Sequence, residues 1–143
     1  MEYELAEVGS VAEKVIVEAR RRRASDHATL ITLSGDLGAG KTTLVTEIAH
    51  QLGVTESLQS PTFVIYKKYA LPHDCPWKYL IHGDMYRLES ASEIEKLGWQ
   101  ELVSNPDHLI CIEWPEQITG AIPDWAICVV IHHRGGEKRL IEI

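Results

Sequence analysis

The sequence predicts a single α/β domain over residues 1–143, built in three layers around a mixed sheet with a parallel core and a C-terminal antiparallel hairpin. Three features carry that prediction. Ala28-Thr-Leu-Ile-Thr-Leu33 is an apolar, β-branched run that enters a glycine cluster and precedes a helical stretch, the first half of a βαβ unit. Leu109-Ile-Cys-Ile112 is apolar without interruption, as expected of a strand covered on both faces. Trp125–Ile131 and Lys138–Ile143 flank Arg134-Gly-Gly-Glu137 in the pattern of a hairpin.

The remaining elements follow in chain order. Ser10-Val-Ala-Glu13 has the spacing of a capping box, and Val11, Val15, Ile16 and Ala19 share one face, which predicts a helix over about 11–22. It ends in Arg20 to Arg23. Cations there complement the helix dipole by ~0.3–1 kcal/mol, with a nucleic-acid or partner contact as the alternative. The helix after the glycine cluster spans about 41–52 and stops at Gly53. Phe63–Tyr69 and Trp77–Ile81 read as neighbouring strands with one face partly exposed, joined by a surface loop containing Pro72 and Pro76. Ser90–Leu97 offers two capping boxes, Ser90 with Glu93 and Ser92 with Glu95, and predicts a short acidic helix ending at Gly98. There is no repeat, low-complexity segment or linker.

Composition bounds the function. With 143 residues, 45% hydrophobic and 24% charged, the chain can bury a core without disulfides or a structural metal. Its 21 acidic and 14 basic residues leave a net charge of -7, which repels phosphate backbones and argues against direct binding of DNA or tRNA. Cys75, Cys111 and Cys128 are odd in number and form no C-x-x-C pair, the pattern of reduced thiols in a cytosol. No stretch reaches the ~18 apolar residues of a membrane span. Glu2, Glu4, Glu7, Glu13 and Glu18 stand where a signal peptide needs basic and then apolar residues, so a cytoplasmic protein is expected.

The chemistry begins at Gly35-Asp-Leu-Gly-Ala-Gly-Lys-Thr42, which matches G-x-x-x-x-G-K-[ST] between a predicted strand and helix. Chance gives this pattern in roughly one chain in two hundred of this length, and the strand–helix context lowers that further. Glycines let successive amides turn inward around phosphate oxygens, and the following helix adds its unpaired N–H groups and positive dipole end. Gly35, Asp36, Leu37, Gly38, Ala39 and Gly40 therefore form a phosphate cradle, Lys41 reaches the β and γ phosphates of a nucleotide, and the Thr42 hydroxyl suits Mg²⁺.

Such a loop needs carboxylates at strand ends to hold the metal and position water. Leu109-Ile-Cys-Ile-Glu113 delivers one cleanly; Tyr79-Leu-Ile-His-Gly-Asp84 is less regular because His82 and Gly83 interrupt the run. Ser60-Pro-Thr62 lies where switch proteins place a threonine that senses the γ-phosphate, although a proline turn explains it equally well. Arg87 is placed either to neutralise phosphate or to pair with Glu89 or Glu93, and Trp114 to pack over the strand end rather than stack on a base. His73, Cys75 and His82 lack a fourth ligand at zinc spacing.

Four blocks in this order, Gly35–Thr43, Ser60-Pro-Thr62, His82-Gly-Asp-Met-Tyr-Arg-Leu88 and Ile112-Glu-Trp114, resemble the TsaE (YjeE-type) P-loop ATPases of bacterial tRNA threonylcarbamoyladenosine synthesis. The resemblance implies a P-loop NTPase-like fold and an ATPase that joins TsaB and TsaD without itself transferring the threonylcarbamoyl group. It also implies that tRNA is met only through that complex. Carried onto this chain, it gives phosphate binding to Lys41 within a nucleotide loop reaching Thr43, Mg²⁺ to Thr42 and Glu113, the second acid to Asp84, and the switch hydroxyl to Thr62.

Other classes share the loop. A P-loop kinase needs a second phosphate clamp, yet outside Arg20–Arg23 the arginines are only Arg87, Arg134 and Arg139. A GTP switch uses N-K-x-D, whereas the sole asparagine, Asn105, precedes Pro106. A module that binds nucleotide without turning it over is separated from an ATPase by phosphate release.

Overall fold

The computed structural model describes residues 1–59, 61 and 64–143. Among these, seven strands form one sheet: β1 Glu2–Glu4, β2 Thr29–Ser34, β3 Tyr66–Ala70, β4 Tyr79–Asp84, β5 His108–Glu113, β6 Ile127–His133 and β7 Lys138–Glu142. Their order is β1-β7-β6-β2-β5-β4-β3. β6, β2, β5 and β4 run parallel, while β1–β7, β6–β7 and β3–β4 are antiparallel. The parallel core and the C-terminal hairpin are both as predicted.

Alternation along the inner strands feeds two cores. Ile31, Leu33, Leu80, Leu109 and Cys111 face α1 (Val8–Arg21) and α2 (Lys41–Gln51). Leu30, Ile81, Ile110 and Ile112 face α3 (Ala91–Glu95), α4 (Trp99–Ser104) and a 3-10 segment, Pro115–Ala121. The result is the three-layer arrangement. β5 is buried at all six positions, which is why its sequence is continuously apolar; each fully buried Leu or Ile contributes about 1.5–3 kcal/mol.

Several local readings change. α1 starts at Val8, so Ser10 is no N-cap; its hydroxyl donates to Glu7 O at 2.9 Å from inside the helix. A 3-10 turn, Leu5–Glu7, starts the winding early, with the Glu4 N–H held by the Glu7 carboxylate at 2.7 Å. At its far end Arg21 and Arg22 fold back onto Glu18, the solvated-helix-end reading of the basic run. The reciprocal bond expected at Ser90 runs instead from the Glu89 N–H to Glu93 Oε1, 3.1 Å. Gly98, with φ of 80°, turns the chain into α4, a helix too short for its periodicity to be read. β1 also went unpredicted, since only Tyr3 of its three residues is buried.

Candidate functional site

The parallel core brings a loop and two acids to one end of the sheet. β2 runs into Gly35–Gly40, and α2 begins at Lys41. Gly35 has φ of 149°, and a Cβ there would stand 2.4 Å from Ile131 O of β6, so only glycine lets the loop leave β2 against its neighbour. Gly40, with φ of 106°, makes the left-handed turn into α2. Gly38, Gly40, Lys41, Thr42 and Thr43 border an open cavity of about 300 Å³, closed by Leu37, Asp84, Glu113 and Trp114. Loop and acids thus meet as predicted.

Lys41 is 5% exposed, and its Nζ donates to Gly35 O and to Asp36 O (3.1 Å). Burial holds its ammonium below the usual lysine range, a shift opposed by Glu113, Glu116, Asp84 and Asp36. The Trp114 ring lies 4.0 Å from Nζ, a cation–π contact, and 5.1 Å from the Tyr86 ring. Trp114 reaches this place through a left-handed backbone, φ 57° and ψ 51°, uncommon for a bulky residue. The ring thus stands over Lys41 at the cavity and packs against the core on the α3–α4 side.

Glu113 ends β5 at 4% exposure. Thr42 Oγ1 donates to its Oε1 at 2.8 Å and Oε2 at 3.0 Å. Asp84 ends β4 as the register partner of Glu113 and accepts the Tyr86 N–H on Oδ1 at 3.0 Å. The sequence assigned His82 no role, yet its Nε2 lies 2.7 Å from Glu113 Oε2 with the imidazole fully buried. A carboxylate only accepts, so Nε2 carries the hydrogen; Nδ1 is buried with no partner among the described residues. His82 stands two residues before Asp84 and hence on the same face of β4, which is the signal that would have found it. Arg87 is exposed beyond Asp84, and Thr62, the predicted switch hydroxyl, lies outside the described residues.

Among the described residues, the cavity is bordered by loop amides, the Lys41 ammonium, the hydroxyl-bearing Thr42 and Thr43, and the carboxylates of Asp84 and Glu113. The amides and ammonium suit an anion; the oxygens suit a hard divalent cation. His73 and Cys75 lie in the β3–β4 loop and His82 is committed to Glu113.

Fold and site together define a protein with a P-loop NTPase-like architecture. Residues 4–141 match the family described as "Threonylcarbamoyl adenosine biosynthesis protein TsaE". Proteins named "tRNA threonylcarbamoyladenosine biosynthesis protein TsaE" are 39% identical in Bacillus subtilis, over 78% of this chain and 66% of that protein, and 34% identical in Haemophilus influenzae, over 76% and 66%. In Rickettsia bellii the identity is 38% over 80% and 76%. The chain thus spans slightly under two thirds of the Bacillus and Haemophilus relatives. The crystal structure of Bacillus subtilis YdiB superposes with a TM-score of 0.69 at 27% identity, over 99% of this chain and 82% of that one. The chain belongs to the TsaE family.

Proposed function

We propose that this protein is a Mg²⁺-dependent ATPase serving tRNA threonylcarbamoyladenosine formation beside TsaB and TsaD, as an accessory enzyme and not as the transferase. The observation that carries the reading is the meeting of Thr42 and Glu113, with Asp84 in register, directly before a loop whose lysine faces the same cavity. The names of the relatives support the pathway, and the family resemblance supplies the two partners. A cytoplasmic protein fits that pathway.

The donor set fits the cation: Thr42, Glu113 and Asp84 offer only oxygen. Bound Mg²⁺ would neutralise charge on the β and γ phosphates. Gly35–Thr43 cradles the phosphates through backbone N–H groups, and Lys41 exchanges its present carbonyl acceptors for phosphate oxygens. His82 and Thr42 keep the Glu113 carboxylate turned toward the metal position. Asp84 orients a water whose oxygen forms a bond to the γ-phosphorus. The bond from that phosphorus to the bridging oxygen breaks, ADP departs with the electron pair, and the proton released by water passes to the solvent-facing side through Asp84. Thr62 is proposed as the hydroxyl that senses the γ-phosphate.

A net charge of -7 means that tRNA is met through the complex. With few arginines near the loop, the lone chain hydrolyses slowly, and a partner that completes the site raises the rate by ~10³–10⁵. The test is steady-state phosphate release with and without TsaB and TsaD, beside a tRNA titration of the isolated protein at physiological salt. Stimulation without direct tRNA binding supports the reading. Fast unstimulated hydrolysis, or tight tRNA binding alone, would sink it.

A further inference from the structure

Arg139 of β7 belongs to none of the motifs above, yet it is 5% exposed and its side chain ends at the phosphate loop. Its Nε donates to Ala39 O at 2.9 Å, and Nη1 donates to Gly136 O at 2.9 Å and Lys138 O at 3.0 Å. Among the described residues no carboxylate lies within ion-pair distance, so the guanidinium charge is answered by carbonyl oxygens alone. Tyr3 is its register partner on β1, and the Tyr3 hydroxyl is buried with no partner among the described residues.

The bond to Ala39 has a geometric consequence. A trans peptide points its C=O and the following N–H in opposite directions, and the chain has no cis peptide. Fixing Ala39 O toward Arg139 therefore turns the Gly40 N–H away from Arg139. Gly40 borders the cavity whereas Ala39 and Arg139 do not, and the Gly40 N–H has no acceptor among the described residues. Ala39 is held from its other side as well, its own N–H donating to Asp36 O at 3.0 Å. Without Arg139 this peptide is free to rotate, and a carbonyl turned into the cavity would repel the anion that the amide attracts.

We propose that Arg139 is a positioning residue that sets the direction of the Ala39–Gly40 peptide, and with it the phosphate affinity of the loop. β7 is thereby part of the nucleotide site although it contributes no lining atom. The inference rests on the nucleotide-binding reading above.

The test compares wild type and Arg139→Met in calorimetric titrations with Mg-ATP and with inorganic triphosphate, well below each protein's melting temperature. The variant should lose about tenfold or more in affinity for both ligands, the effect of one charge-assisted hydrogen bond. A lower melting temperature with unchanged affinity overturns the proposal, because a purely structural role predicts that result. Should the variant not fold, the wild type decides: the Arg139 Nε–H must exchange with solvent far more slowly than that of exposed Arg21, and the Gly40 amide resonance must shift on adding triphosphate. Fast Nε–H exchange or an unmoved Gly40 amide overturns it. Absence of Mg-ATP binding by wild type overturns the nucleotide reading itself, while the Arg139 Nε–H exchange still reports on the brace.

Discussion

Asp84 and Glu113 stand opposite each other in the β4–β5 ladder, so two strands that are neighbours and parallel present their terminal carboxylates side by side before the phosphate loop. Their surroundings differ. Glu113 is buried and takes bonds from Thr42 and His82, whereas Asp84 is half-buried with a backbone amide on one oxygen. Unequal roles follow. Glu113→Ala should abolish the Mg²⁺ dependence of nucleotide affinity, while Asp84→Ala should bind nucleotide nearly as wild type and fail in turnover. Titrations with and without Mg²⁺, paired with phosphate release, check both; the reverse pattern exchanges the two acids.

Lys41→Ala should cut phosphate release about a hundredfold or more and weaken Mg-ATP binding, since no other ammonium borders the cavity. Because Lys41 Nζ now rests on Gly35 O, Asp36 O and the Trp114 ring, the wild-type indole should change its fluorescence when nucleotide draws the ammonium away. Equal turnover in mutant and wild type would reject the phosphate-loop assignment.

His82 touches Glu113 and not the cavity. His82→Ala should leave Mg-free nucleotide binding intact while lowering Mg²⁺ affinity or turnover by about 10–100-fold, the usual cost of losing a group that orients a metal-binding carboxylate. His82→Gln, which can still donate to Oε2, should recover part of the loss.

Away from the site, His108 ties β5 to α4: its Nδ1 bonds Leu102 O at 3.0 Å, and Nε2 accepts from Asn105 Nδ2 at 3.3 Å, a neutral tautomer. Burial holds its pKa below the usual 6.5, opposed by the Leu102 bond. The folded form therefore stays neutral where the unfolded chain already takes up a proton. Stability is fully present above about pH 6.5 and is lost as pH falls through the lower folded value. Urea midpoints measured from pH 7.5 down to pH 5 should fall, and His108→Gln should flatten that slope.

How far the site could be read in advance depended on how local its signals are. Glu113 was legible because β5 is covered on both faces and so carries its acid at the end of an unbroken apolar run. His82 was not, because its partner lies 31 residues away and meets it only through the β4–β5 register. Arg139 was harder still: strand alternation puts it on the inner side of β7, but its acceptor lies 100 residues earlier. The missed β1 and α4 are three and six residues long, too short for either period to repeat.

The pairing of β1 with β7 sets an order of events during translation. Met1 and Ile141 exchange two hydrogen bonds, each of 2.9 Å, so β1 waits for the later-made β7 before it finds its place. The phosphate loop leaves the ribosome 100 residues ahead of the arginine that braces it. At synthesis rates of ~5–20 residues per second, that delay is on the order of 5–20 s. On the Arg139 proposal, a nascent chain exposes a loop with poor hold on phosphate throughout this interval, and nucleotide affinity arrives only once the hairpin has closed.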